Sequence, residues 1–596
     1  MSARLIGLAL AFLLALATGA VAADGDATPP TEAAPPSMDE GGDDALEPSE
    51  ELMGEPIGAA EEDVPEEPAS DGSLPDFEPM PDRWRIQPPP YPDVNVAGHW
   101  WDPYNTNPLK GDLPIPGFQD IFGKITAAYL LNVEGRKFPI ASGVSTENPG
   151  ESNFFGDPES ILIDQKFVVQ AEILKGATSY KPFDWQFLLQ GVGDLASLTL
   201  FERVVFPDVR EGTDFFLGDI ELETGFLEVH LADLSANYDF LSTKIGRQPF
   251  NSDFRSLIFR DVNQAARLFG SAASGRIQYN LWYEYAAEKD IVSELNTFEI
   301  RNQQIVIANA YIQDFFFNGW TNSFSFHLDY DEGSKDGFVY DRLGFLARPT
   351  AIGDPRPHDV TAYYLGWASE GHIGPINVSH AFYEVLGTDE FNGIAGREVD
   401  INGQLAFLEL SYDIDWIRPI VSVYFASGDD DPRDGTASGF DSILDAPRVA
   451  GGAFSWFNRQ SIRITDRGGA GLNQRISLIP DLRSSKLQGQ VNMVNPGIVL
   501  LNAGTEIEAT PKVRVIANAS YIRFAETGSL KLALQQSEVD ANVGVDLSVG
   551  VEWRPWLNNN VIITPFAALF QPMDGFQDIY TGATQWQAGF NLALVY

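Results

Sequence analysis

The chain has 596 residues, no cysteine, and 39 Lys+Arg against 84 Asp+Glu, a formal net charge of −45. Without a basic stripe, nucleic acid is argued against as a partner. Without cysteine, disulfides, zinc-thiolate sites, covalent haem attachment and a lipoprotein anchor are excluded. Beyond the first residues no apolar run approaches ~18 residues, so the chain is not a bundle of membrane helices.

Residues 1–22 read as a secretory signal peptide: Arg4 is the positive start, Leu5 to Leu16 the apolar centre, and Ala20-Val21-Ala22 the small residues before cleavage. Residues 23–92 read as a disordered acidic, Pro-rich linker, since 23–82 hold 20 acidic and no basic residues. Without them and Arg4, the remainder keeps 64 acidic and 38 basic residues, a moderately acidic body. Residues 93–159 are dense in aromatics, Pro and Asn around His99-Trp100-Trp101 and Pro114-Ile115-Pro116. They are expected to form a periplasmic packing element or plug.

From about residue 160 the pattern changes to segments of period two. In 544–554, Val545, Leu547, Val549, Val551 and Trp553 share one face, and Asp546, Ser548, Glu552 and Arg554 the other. Residues 320–330 repeat this, with Phe324, Phe326, Leu328 and Tyr330 opposite Ser325, His327 and Asp329. A soluble sandwich also alternates, but these segments exceed the ~5–6 residues of soluble strands and match the ~9–11 of membrane strands. Aromatics lie near strand ends, and connectors alternate short (318–319, 235–237, 556–559) and long (332–358, 428–497, 571–583). The pattern predicts an all-β fold: a transmembrane antiparallel outer-membrane barrel over 160–596, of about 18 strands (16–18). It places both termini in the periplasm of a Gram-negative bacterium. Two of the strands, 183–190 and 195–206, alternate poorly. An open edge in lipid strands unpaired N–H and C=O groups, so the sheet must close.

The last segment places Trp586, Ala588, Phe590, Leu592, Leu594 and Tyr596 on one face. A terminal aromatic with alternating apolar residues upstream resembles the signal read by the bacterial barrel-assembly machinery, an expected partner alongside outer-membrane lipid.

The connector 428–497 reads as a long, apolar-free loop, and loops of that length tend to be functional. Its acidic start, Asp429-Asp430-Asp431 with Asp434-Gly435, lacks calcium-loop spacing and reads as a solvated turn. Its second half carries Arg448, Arg459, Arg463, Arg467, Arg475, Arg483 and Lys486 against Asp466 and Asp481. Folded into the lumen, these arginines are pore-constriction candidates that would attract anions; folded outward, they would meet anionic lipid or the loop's own acidic half. Lumen-wall candidates from alternation are Lys244, Gln248, Arg267, Lys512, Arg514, Asp546 and Glu552.

Six histidines occur without HExxH spacing, and no GxSxG motif stands in a strand–turn–helix context. The chain therefore reads as a non-enzymatic protein with no metal and no cofactor. Ile245-Gly246-Arg247-Gln248, Ala265-Ala266-Arg267-Leu268 and Ala426-Ser427-Gly428-Asp429-Asp430 with Phe440-Asp441 resemble the alginate-export family of porin-like barrels. That resemblance implies an 18-stranded channel with an Arg- and Lys-lined pore suited to a polyuronate, whereas this body is acidic. The expected function is passive passage of small hydrophilic solutes, including anionic or oligosaccharide ones. The alternative is a structural sleeve whose residues 23–159 dock a periplasmic or surface partner such as a cytochrome.

Overall fold

The computed structural model describes residues 99–100, 107, 109–118, 120–138, 156–176, 182–202, 214–237, 239–460, 476–580 and 582–596. The signal peptide, the acidic linker and part of 93–159 lie outside them, as do Arg463, Arg467 and Arg475.

Eighteen antiparallel strands form a closed barrel. The first nine are β1 (Ile121–Lys137), β2 (Gly156–Lys175), β3 (Trp185–Glu202), β4 (Asp214–Asp233), β5 (Phe240–Asn251), β6 (Arg260–Ala272), β7 (Ile277–Lys289), β8 (Asn296–Ile312) and β9 (Trp320–Asp331). The other nine are β10 (Val360–Ile373), β11 (Ile376–Asn392), β12 (Arg397–Tyr412), β13 (Ile417–Ala426), β14 (Ile498–Thr510), β15 (Val513–Arg523), β16 (Asn542–Trp553), β17 (Val561–Pro572) and β18 (Gln585–Val595). Closure is made by β1 against β18, in register from Ala128↔Val595 to Lys137↔Trp586. No helix among the described residues is long and apolar enough to cross a membrane, which has no bearing on strands.

Two strand assignments change. Residues 185–202 are one strand rather than two. Its outward Phe187, Leu189 and Leu195 are exposed, while its inward Leu188, Val192 and Leu198 are buried, so apolar residues on both faces hide the alternation. The strand thus freed is β1, which lies inside 93–159, a span read as a packing element. It too mixes apolar and polar residues on its inner face, with Leu130 beside Glu134 and Arg136. The barrel therefore begins at 121, not 160, and the two changes offset in the strand count.

Ahead of β1, a short strand at Lys110–Pro114 pairs with it from Lys110↔Lys124 to Pro114↔Phe122. It covers the edge of β1 that β18 leaves bare, because β18 stops near Ala128. The side-chain amide of Asn107 donates to the Tyr596 hydroxyl (3.0 Å), and Lys110 Nζ lies 4.0 Å from the centre of that ring. Tyr596 also exchanges backbone hydrogen bonds with Ala127. On β18, Phe590 and Leu594 face outward and are exposed, in line with Trp586 and Leu592.

The long connectors 332–359 and 427–497 lie at one end of the barrel, and 374–375, 413–416 and 511–512 at the end that holds the termini. Connector 427–497 corrects the expectation of an apolar-free loop. Phe440, Ile443, Leu444, Trp456, Phe457, Leu478, Ile479, Leu482 and Val494 are buried in one core with the inward-facing Phe250, Trp282, Tyr364, Tyr383, Tyr424 and Phe570. The barrel has an apolar centre because its own loop folds into it.

A constriction built from a withdrawn hairpin and an inward loop

Among the described residues, two pieces of chain meet in the middle of the lumen, while residues of connectors 290–295 and 332–359 pack on its inner wall. The first is the end of the β5–β6 hairpin. Its strands stay paired from Leu241↔Gly270 to Asn251↔Arg260, but β6 pairs with β7 only as far as Ala265↔Glu284. Beyond that level the hairpin leaves the wall. The departure point is Gly246, with φ of 130°, where an added Cβ would sit 2.2 Å from the Gly225 carbonyl oxygen. Only glycine permits that approach. The hairpin's tip reaches across the lumen, where the Arg255 guanidinium bridges Glu370 of β10 (2.9 Å) and Glu409 of β12 (2.9 Å) and donates to Ser379 of β11 (3.1 Å). The hydroxyl of Tyr311 donates to the Ser252 carbonyl (2.9 Å).

The second piece is the loop 427–497, which adds to that tip. Leu444 N donates to Ile258 O (3.1 Å), Arg260 N to Leu444 O (2.7 Å) and Ala446 N to Ser256 O (3.0 Å). The short helix Trp456–Gln460 then docks on the wall near the seam. Its Trp456 stacks on Phe570 at 4.6 Å and donates Nε1–H to the Lys137 carbonyl (2.9 Å). Its start is held by Asp546 of β16, whose carboxylate accepts Phe457 N–H (2.8 Å) and the Ser455 hydroxyl (3.2 Å). A third contact zone lies at 487–489. Arg348 donates to the Gln488 carbonyl (2.7 Å) and pairs with Glu288 and Asp336. Arg301 of β8 pairs with Asp331 and donates to the Leu487 and Gly489 carbonyls.

The basic candidates of the loop are drawn into ion pairs. Arg459 Nε lies 2.6 Å from Glu134 of β1, which also faces Arg136 at 3.5 Å. Arg483 pairs with Asp481 (2.8 Å) and Asp441 (3.2 Å), and Lys486 with Asp441 (2.6 Å), Asp445 (3.2 Å) and Asp481 (3.2 Å). These cations hold the loop together rather than line a free passage, because a buried charge must be paired to be tolerated. Arg448 is half-buried, and its backbone N–H bonds the Arg255 carbonyl. At the loop's root Asp429 is buried, and burial together with Asp434 and Asp430 pushes its carboxyl up to about 7. The solvated acidic turn expected there is thus partly a packed one.

The wall candidates divide. Lys244 faces inward and pairs with Glu228 at 3.1 Å. Gln248 is buried and donates to the Lys244 and Ala265 carbonyls (3.1 Å each), so it fixes the bend instead of meeting solute. Arg267 donates to Asn280 (2.7 and 2.9 Å) on the inner face. Arg514 pairs with Glu506 at 2.6 Å, and Glu552 with Arg554. Lys512 is corrected: it sits in the turn after β14 and donates to the Pro555 carbonyl (2.7 Å), on the rim at the terminus end. Sequence reading misses Arg255, Arg301, Arg348 and Glu134. Their signal is a charge on the inner face or in a short connector, which a buried lumen element must neutralise.

No family model matches the chain, and no curated protein matches it. Solved structures match at low identity. OccK7 (OpdD) of Pseudomonas aeruginosa is 10% identical with a TM-score of 0.44, over 80% of this chain and 99% of that one. OccAB1 of Acinetobacter baumannii is 8% identical with a TM-score of 0.44, over 79% and 96%. A BenF-like porin from Pseudomonas fluorescens is 8% identical with a TM-score of 0.42, over 79% and 98%.

Proposed function

We propose that this chain is a bacterial outer-membrane channel for passive passage of small hydrophilic solutes, with its termini in the periplasm. The observation that carries the reading is a closed barrel with an exposed apolar outer face and an inner face that carries polar and charged side chains beside its apolar core, narrowed by its own loop. The outer face matches lipid, and the inner face keeps polar groups hydrated or paired. The sleeve alternative is less well supported, because residues 427–460 and 476–497 occupy the space a held partner would need.

The ion pairs of the loop bear on selectivity. Arg459, Arg483 and Lys486 each meet a carboxylate, so the described constriction offers little net attraction to an anion. We therefore read the solute as selected by size and hydration. Preference for an anion or an acidic oligosaccharide would rest on Arg463, Arg467 and Arg475, which lie outside the described residues. Planar-bilayer recording tests the reading. The purified protein should conduct in discrete steps, with a reversal potential across a salt gradient near zero or leaning towards cations. A protein that inserts but never conducts would refute the channel.

A further inference from the structure

Withdrawal of the β5–β6 hairpin leaves a break in the wall. β4 pairs with β5 only from Gly225↔Arg247 to Asp233↔Phe240. Among the described residues, 214–224 have no ladder partner on that side, and the start of β8 is the wall element that meets them. Side chains close the break in place of a ladder. The guanidinium of Arg247 donates to the carbonyls of Leu222 (2.7 Å), Asn296 (3.2 Å) and Thr297 (2.5 Å). The Glu223 carboxylate accepts the backbone N–H (2.8 Å) and the side-chain amide (2.9 Å) of Asn296. A junction of a few side-chain bonds opens locally at far lower cost than a continuous ladder.

Both sides of the break are apolar. Outside, Ile220 is 86% exposed and Phe298 74%, with Ile300 also exposed. Inside, Leu162 and Leu198 on the inner faces of β2 and β3 pack with Leu217 of β4. Apolar groups on the inner wall serve no hydrophilic solute, since water gains nothing by wetting them. Here they lie beside a stretch of described wall that lacks a ladder, covered on the lumen side by Ile291, Val292 and Leu343 of two connectors.

We propose that the break between β4 and β8 is a side port, latched by Arg247, through which an apolar or amphiphilic solute passes between the lumen and the bilayer. The proposal rests on the chain's being a lumen-bearing barrel in a membrane, as read above. Opening means that Arg247 releases Asn296 and Thr297, and that Arg342, which pairs with Asp219 of β4 and Asp290 of the connector before β8, lets that connector lift with Ile291 and Val292 from the inner wall. Arg247 keeps Leu222, so the bare carbonyl nearest the gap stays bonded.

The chain has no cysteine, so Leu217→Cys places a single half-buried thiol on the inner face beside the break. Proteoliposomes of this variant are treated with N-(1-pyrenyl)maleimide dissolved in the lipid, or with a sulfonated maleimide in the water. The lipid-borne reagent should label the thiol. Arg247→Ala should raise that rate about tenfold, the factor that loss of one charge-assisted hydrogen bond removes, and leave the water-borne rate unchanged. If Arg247→Ala fails to give the compact, heat-modifiable band, Asn296→Asp replaces it. A second carboxylate against Glu223 parts the same junction and should give the same asymmetric rise. An equal rise for both reagents, or none for the lipid-borne one, overturns the port. Conductance of the same preparations separates this from the channel reading. Steps without lipid-borne labelling remove only the port, and labelling without steps removes only the channel.

Discussion

At the scale of single residues, neighbours on one strand have opposite surroundings. Leu547 is 50% exposed on the outer face of β16, while Ser548 is 6% exposed. The Ser548 hydroxyl lies 2.9 Å from where a Cβ on Gly451 would stand, so it touches the inward loop. Leu547→Arg should therefore destabilise the barrel, by about 2–4 kcal/mol for a midplane site, and so lower its urea midpoint. Ser548→Arg should push the loop from the wall and raise conductance, with a smaller change in that midpoint. Equal midpoints would contradict the assignment of faces. Asp429 gives a prediction in pH. Its carboxyl is raised to about 7 in the docked loop, against an ordinary value near 4 when the loop is released. Between those values the docked state binds the extra proton, so docking is favoured at low pH and weakens as pH rises through 7. Current noise in planar bilayers should fall as pH goes from 8 to 5, and Asp429→Asn should be quiet and flat across that range. A pH dependence that survives in Asp429→Asn would assign the effect to another group.

At the scale of elements, alternation makes most strands legible in the sequence, because one face meets an apolar surround and the other does not. The rule fails where the inner face is also dry. β1 and β3 pack apolar residues inward, Leu130 and Leu198 among them, against loop and connector residues folded into the lumen. The long loop escapes for a related reason: Phe440, Trp456, Phe457 and Leu478 recur without strand or helix period, so no periodic test detects them, although they are core residues. The hairpin bend is visible only as Ile245-Gly246-Arg247-Gln248, whose glycine and glutamine both serve the departure from the wall. Gly246→Ala should be far more damaging than Gly275→Ala. Both have positive φ, which costs a non-glycine residue about 1–3 kcal/mol. Only at 246 does the new methyl also overlap a backbone carbonyl, whereas at 275 nothing lies within 4 Å. Heat-modifiable migration on gels should persist for Gly275→Ala and be largely lost for Gly246→Ala; equal behaviour would show that the bend does not depend on that glycine.

At the scale of the molecule, the site of narrowing is a consequence of topology. Even-numbered closure returns both termini to one end, and the long connectors to the other. A long loop at that other end can fold inward only if something inside receives it, and the withdrawn hairpin and the inner-face charges do so. Sequence shows the barrel but not this arrangement, because Arg255 meets Glu370 and Glu409 only through strands far along the chain. The arrangement also changes what protease should find. Connector 427–497, taken alone, reads as the obvious target, yet its described parts are largely buried. The accessible aromatics lie elsewhere: Phe338 and Tyr340 are exposed in the connector after β9, at the long-loop end, and Phe315, Phe316 and Phe317 are exposed in the turn before β9, at the terminus end. Chymotrypsin added to intact cells should therefore cut at Phe338 or Tyr340, and should reach Phe315–Phe317 only after the outer membrane is permeabilised. The order follows from one alternation of strand direction, since the 12 residues of β9 separate the two sites across the bilayer. Cleavage at Phe316 in intact cells, with Tyr340 spared until permeabilisation, would turn the barrel over and place the inward loop at the periplasmic mouth.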